Sequence, residues 1–145
     1  MTVSIRPLQR GDRAQWEPLW LGYQKFYQVE IPQDVTEETW RRFFEEAEPV
    51  HGLGAYEGQR LRGITHYIFH RSTWMIPYSC YLQDLFVTPE LRGKGIARKL
   101  IEAVYAAADK AGAGRVYWLT QENNYAARML YDKVAKNYGF IQYRR

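Results

Sequence analysis

Leu82-Gln83-Asp84-Leu85-Phe86-Val87-Thr88-Pro89-Glu90-Leu91-Arg92-Gly93-Lys94-Gly95-Ile96-Ala97 sets a strand against a helix with a glycine turn between them. Residues 82–87 are apolar except for Gln83 and Asp84, a pattern that predicts a buried strand carrying two polar side chains. Behind the turn, Ile96, Leu100, Ala103, Val104, Ala107 and Ala111 recur at helical spacing. A helix start offers unpaired backbone N–H groups and a partial positive charge, and glycines let the chain present those groups as a concave anion nest. Arg92, Lys94 and Arg98 add positive charge at the same place, so the turn suits a diphosphate. It is a poor nucleoside-triphosphate loop, because only part of that motif is present and Lys94 is followed by Gly95 rather than Ser or Thr. It is a poor dinucleotide turn, because Arg98 stands where the third glycine belongs. On these six residues alone a plain turn before a helix remains open.

Working outward, Gly112 and Gly114 end that helix. Arg115 to Thr120 is expected to be a strand, Asn123 or Asn124 to cap a last helix running to Tyr138, and residues 139–143 to form a final strand. Upstream, Glu57-Gly58-Gln59-Arg60 joins Leu53–Tyr56 to Leu61–Phe69 as a hairpin. Val3 to Arg6 is a first strand, ended by Pro7. Asp12 is expected to cap a helix bearing Trp16, Leu19, Trp20 and Tyr23, which Pro18 is expected to split or bend. Thr36 is expected to open a second helix with Trp40, Phe43 and Phe44 on its apolar face, stopped by Pro49. The order is strand, helix, helix, hairpin, strand, helix, strand, helix, strand, read as one domain over residues 1–145.

The chain has 145 residues, of which 46% are hydrophobic, with 12 Tyr and 5 Trp, enough to bury one core without disulfides. Its single cysteine, Cys80, cannot form an internal bridge. No stretch approaches the roughly 20 apolar residues of a membrane helix, and Met1 to Arg6 lacks the apolar run of a signal peptide. The expectation is a soluble cytoplasmic protein. A net charge of +4 without a basic stripe argues against a nucleic-acid partner and fits a small anionic ligand.

Two motifs carry a resemblance. Arg92, Gly95 and Ala97 match the Arg/Gln-x-x-Gly-x-Gly/Ala motif with which GCN5-related N-acetyltransferases (GNAT) bind acyl-CoA. Asn124-Tyr125-Ala126-Ala127-Arg128-Met129-Leu130-Tyr131 resembles the Asn-x-x-Ala-x-x-Leu-Tyr motif of the same family. Tyr81 to Leu85, with Val116 to Asn124, is similar to a narrower group that includes the yeast Hpa2 and Hpa3 enzymes and, more distantly, the polyamine acetyltransferases. The resemblance implies a mixed α/β fold: a central twisted, mostly antiparallel sheet flanked by about four helices. It implies acetyl transfer from acetyl-CoA, without a metal, to a primary amine of a small molecule, amino acid or basic peptide, by direct attack in a ternary complex. It also implies a homodimer.

By the same resemblance Tyr131 is the general acid near the cofactor sulfur, and Asn124 meets the pantetheine arm or phosphates. Phe86 and Val87 bind the arm through their backbone. Arg92, Gly93, Lys94, Gly95, Ile96, Ala97 and Arg98 hold the phosphates. The oxyanion donor is expected on the strand near Leu85 to Val87. Polyamine enzymes carry a Glu-Asp pair where this chain has Gln83 and Asp84. An amide is no base, so Asp84 is left to bind the cationic amine or take its proton, or to act structurally. Tyr27 and Glu30 are candidate acceptor contacts together with Gln83 and Asp84. His51, His66, His70 and Cys80 show no ligand spacing and are read as packing or surface residues. The tryptophans are read as core. The family's usual Leu-Tyr-x-x-x-Gly-Phe is four residues longer here between Tyr131 and Gly139, which predicts one more helical turn. The sheet edge beyond is expected to be short, or completed by a partner subunit. A non-catalytic acyl-CoA sensor of the same fold is the competing reading.

Overall fold

A computed structural model describes residues 2–145. Five strands form one sheet in the order β1-β2-β3-β4-β5: β1 (Val3–Pro7), β2 (Val50–Glu57), β3 (Arg60–His70), β4 (Ser79–Val87) and β5 (Arg115–Tyr117). The first four are antiparallel to their neighbours, and β5 runs parallel to β4. Four helices flank the sheet: α1 (Arg13–Phe26), α2 (Gln33–Arg42), α3 (Ile96–Lys110) and α4 (Tyr125–Val134). Strand alternation sorts the core into two layers. Tyr56, Ile64 and Phe86 pack with Trp16 and Trp20 of α1, flanked by Trp40 of α2. Leu53, Tyr67 and Leu82 pack on the other face with Ile101 and Val104 of α3, bordered by Leu130 and Val134 of α4. The mixed, mostly antiparallel sheet with four helices is the architecture expected from the sequence.

Local expectations fare unevenly. Pro18 neither splits α1 nor ends it. It removes only the ladder bond to the Ala14 carbonyl, and both residues are exposed, so water can take that acceptor. Asp12 does not cap α1. Its carboxylate instead accepts the Gln9 N–H (2.8 Å) and the Tyr56 hydroxyl (2.7 Å), tying the helix entry to β2. Helix α2 starts at Gln33 rather than Thr36, because the Pro32 carbonyl accepts both the Val35 and Thr36 N–H groups (each 3.1 Å). Thr36 is buried and accepts the Trp20 indole N–H (3.3 Å).

The C-terminal expectations are corrected. Strand β5 has three residues rather than six. Helix α4 ends at Val134 rather than Tyr138: the Tyr105 hydroxyl donates to the Val134 carbonyl (2.8 Å), and Ala135 turns extended (φ −152°). The four inserted residues therefore add no helical turn. Residues 139–143 form no strand, and Phe140, Ile141 and Tyr143 lie exposed.

Two registers slip. Between β2 and β3 the pairing skips Arg62, and between β3 and β4 it skips Gln83. Each skipped residue is a β-bulge, which bends its strand and reverses the alternation beyond it.

Candidate active site

The bulge at Gln83 decides where the chemistry sits. Cys80 and Leu82 face α3, yet Asp84 and Phe86 face α1, a switch that strict alternation does not allow. Gln83 itself is exposed. Parallel pairing of β4 with β5 stops at Tyr81 opposite Tyr117, so β4 beyond Tyr81 has a free edge facing the departing chain. The bend follows directly on the end of pairing, which stops where β5 itself ends at Tyr117. The irregularity therefore lies just upstream of Leu85–Val87, the segment expected from the sequence to carry the oxyanion donor.

Asp84 is buried at 9% exposure, and a carboxylate there is costly unless hydrogen-bonded. Its Oδ2 accepts from Nδ1 of His66 on β3 (2.9 Å), the residue directly opposite in register. Nε2 of His66 accepts the Trp16 indole N–H of α1 (3.0 Å). An indole N–H can only donate, so the single ring hydrogen of the neutral imidazole resides on Nδ1. The result is a directed chain from Trp16 through His66 to Asp84. His66, at 2% exposure, is walled by the rings of Trp20 (5.0 Å) and Phe43 (4.9 Å). The reading of His66 as a bland residue is thus corrected: its partners lie 50 and 18 residues away, and no local spacing announces them.

Tyrosines line the other side of Asp84. Burial and then the Asp84 charge raise the Tyr23 hydroxyl far above its ordinary value, and the same two causes raise Tyr27 and, with Tyr117, Tyr81. Tyr23 stacks between Trp20 (5.1 Å) and Tyr27 (4.8 Å). Tyr131 of α4 packs edge-on against Trp118 (5.4 Å). Burial, then nearby Tyr27, pushes its hydroxyl up to about 12, so it holds its proton at neutral pH. Tyr27 thus acts electrostatically on Tyr131 and is itself acted on by Asp84. Glu30 is exposed in the loop after α1.

The glycine turn has the backbone that an anion nest needs. Gly93 (φ +78°) and Gly95 (φ +82°) are left-handed, and a Cβ built on either meets no atom within 4 Å, so the concave side is open. Lys94 is exposed. Ile96 and Ala97 turn their side chains into the core beside Leu100, so only their backbone N–H groups can face a ligand. Arg92 departs from expectation. Its Nε donates to the Val87 carbonyl (3.1 Å), and its guanidinium lies over Phe86 (5.2 Å) and Phe26 (5.6 Å). It therefore braces the strand end, and that Val87 carbonyl is already engaged. Phe86 packs into the core between the sheet and α1. Arg98 pairs with Glu102 (3.8 Å) one turn on. Asn124 stands at the start of α4 without capping it, and its Nδ2 reaches toward Thr120 (3.4 Å). Among the described residues no cluster of three or more His, Cys, Asp and Glu is arranged to hold a metal.

A sequence model described as "Acetyltransferase (GNAT) family" matches residues 15–135. The chain belongs to the GNAT acetyltransferase family. Among curated relatives it is 34% identical over 145 residues to the D-amino-acid N-acetyltransferase HPA3 of Saccharomyces cerevisiae, covering 99% of this chain and 90% of that protein. It is 33% identical over 89 residues to a thialysine N-epsilon-acetyltransferase of Caenorhabditis elegans, covering 61% of this chain and 55% of that protein. A solved structure of AAC(6')-Iy with a bisubstrate analog superposes with a TM-score of 0.87 at 16% identity, covering 100% and 98% of the two chains. That likeness carries the fold.

The GNAT fold implies acetyl-CoA as co-substrate, and two features of this chain fit it. The open glycine nest at the start of α3 suits a diphosphate, and the free edge of β4 suits an extended amide-bearing arm. A groove of about 460 Å³, lined in part by Gly22, Phe26, Phe86 and Arg92, runs between α1 and the end of β4 beside that turn.

Proposed function

We propose that the chain transfers an acetyl group from acetyl-CoA to a primary amine of a small molecule, amino acid or basic peptide, by direct attack in a ternary complex. The observation that carries this reading is the bulge at Gln83, which bends β4 where its pairing with β5 has ended and turns the buried Asp84 toward α1. Bound acetyl-CoA supplies an acetyl group already activated as a thioester. The protein's residues have three tasks left. The first is to attract and deprotonate the amine. Asp84 does this, because Gln83 is an amide and its side chain lies outside at the bulge. Tyr23, Tyr27 and Tyr81 give the approaching cation aromatic faces beside the carboxylate. The second is to keep a proton ready for the leaving thiolate, which the raised Tyr131 hydroxyl does. The third is to fix the diphosphate, through the N–H groups of residues 93–97 with Lys94 and Arg98 adding charge, while the main chain of Phe86 and Val87 and the side chain of Asn124 steady the arm.

The exposed apolar tail at Phe140, Ile141 and Tyr143 supports a homodimer, in which a second copy covers that surface. Sedimentation velocity reads the mass.

The deciding experiment is a thiol-release assay with acetyl-CoA against D- and L-amino acids, polyamines, aminoglycosides and histone-like peptides. Release with one amine class supports the reading and names the acceptor. Tight acetyl-CoA binding without release for any amine favours the sensor.

A further inference from the structure

Resting on the reading of Asp84 as the acceptor-facing carboxylate, we propose that Trp16 and His66 are positioning residues that keep Asp84 an uncompensated anion for the acceptor's ammonium group. The reasoning starts from the direction of two hydrogen bonds. The indole N–H of Trp16 points at Nε2 of His66 at 3.0 Å. A second proton on the ring would have to sit on Nε2, donor against donor. The ring is therefore held neutral while Trp16 keeps its place. From the other side, Nδ1–H reaches Oδ2 of Asp84 at 2.9 Å. A neutral imidazole steadies the carboxylate without cancelling its charge. An imidazolium at the same distance would form an ion pair with it and leave no net charge for a cation.

The surroundings fit that role. His66 is buried and clamped by three aromatic side chains, so the bond has one geometry. The titratable groups facing the pair are Tyr23 of α1, Tyr27 just past its end and Tyr81 on β4, all with hydroxyls kept protonated by burial first and Asp84 second. Behind Trp16 lies the guanidinium of Arg13 (5.6 Å), held by Glu37 of α2 (2.6 Å) and by Glu17 of its own helix (3.4 Å). Among the described residues no lysine or arginine forms a salt bridge with Asp84. The carboxylate's partner across the strand pair is an imidazole that its other neighbour prevents from charging.

Three variants and one spectrum test the proposal. Trp16→Phe frees Nε2 to accept a second proton, so KM for the amine is expected to rise roughly tenfold near pH 6 but little near pH 8.5. His66→Phe removes the donor, and the amine KM is expected to rise roughly ten- to hundredfold at both values. His66→Asn places an amide N–H where Nδ1 stood and is expected to restore most of that loss. KM for acetyl-CoA is expected to hold in all three. The proposal is overturned if amine and acetyl-CoA constants rise together, if Trp16→Phe shows no pH dependence, or if His66→Asn is as poor as His66→Phe. The ¹⁵N spectrum of the wild-type imidazole needs no turnover. It is expected to show one protonated nitrogen, Nδ1, at about pH 6. An imidazolium pattern there overturns the lock even in an active enzyme. If no amine is acetylated at all, the proposed function fails, while the spectrum still judges the lock.

Discussion

Deleting Gln83 is expected to leave every side chain of β4 on its present face and to abolish acetyl transfer. Leu82 faces α3, Asp84 faces α1, and Leu85 faces α3 again. Joined directly, Leu82 and Asp84 obey the ordinary alternation of a strand. The pairs Tyr67 with Leu82 and His66 with Asp84, now separated by the bulge, become consecutive. Gln83 is exposed, so its removal costs no burial. One interval of the β3–β4 ladder becomes regular, and a backbone hydrogen bond nets roughly 1 kcal/mol. The variant should therefore be as stable as the parent or up to about 1 kcal/mol more so, which at this length is a rise of about 2–4 °C in Tm. What disappears is the bend. A straight β4 can go on pairing with the residues after Tyr117, covering the free edge along which an acyl-CoA arm would lie. Thermal melts read the first expectation, and thiol release with calorimetric acetyl-CoA binding reads the second. Gln83→Ala, which keeps the bulge, is the control and should stay within about 0.5 kcal/mol in stability. A deletion variant with wild-type kcat/KM, or one that does not fold, would refute the assignment of the opening to this single inserted residue.

Tyr131→Phe is expected to lower kcat by roughly 10²- to 10⁴-fold with little change in KM for acetyl-CoA, and an unchanged kcat in steady-state assays removes it as the acid. Because its hydroxyl is pushed up to about 12, wild-type kcat should show no alkaline limb from this group in the neutral and mildly alkaline range. Gly95→Ala meets no neighbour but must hold φ +82°, so it should cost about 1–2 kcal/mol in a urea melt and raise KM for acetyl-CoA. Burial raises Cys80 to about 11 and Tyr67 to about 12. The unfolded chain gives up those protons near the ordinary values of about 8.5 and 10, so stability from these groups is full below that range. It is lost as pH climbs toward 11 and 12, and equal urea midpoints at about pH 8 and pH 11 would contradict it.

Patterns that repeat within one element were readable from the sequence. The stripe from Ile96 to Ala111 predicts α3, the glycine in residues 57–60 predicts the hairpin, and the two spaced motifs around Arg92 and Tyr131 predict the family. What escaped depends on partners far along the chain. Asp84 was recognisable as an acid in an apolar strand that needed a reason, but the reason, His66, stands across a strand pair. Asp12 looked like a helix cap because its neighbours are helical, yet Tyr56 on β2 claims its carboxylate. A hydroxyl from Tyr105 on α3 stops α4 at Val134, where local propensity ran on. The bulge at Gln83 leaves no mark in composition. Its one trace is that apolar and polar residues fall out of step at Gln83-Asp84.

The aromatic richness of the chain then acquires a use beyond packing. Trp16, Trp20 and Tyr23 of α1 and Tyr27 just past its end recur at intervals of four, three and four, one continuous stripe. The two tryptophans are buried, and the two tyrosines are only partly so. Down the stripe, indoles that fix the imidazole give way to phenols that surround the carboxylate. A single helix thus anchors itself in the core with one half and builds the wall beside Asp84 with the other. Shifting that helix by one residue would break both at once. Trp16 would lose Nε2 of His66, and Tyr23 would leave Asp84. The position of the acid and its aromatic surroundings are therefore one structural choice, made by the register of α1 against the bulged strand.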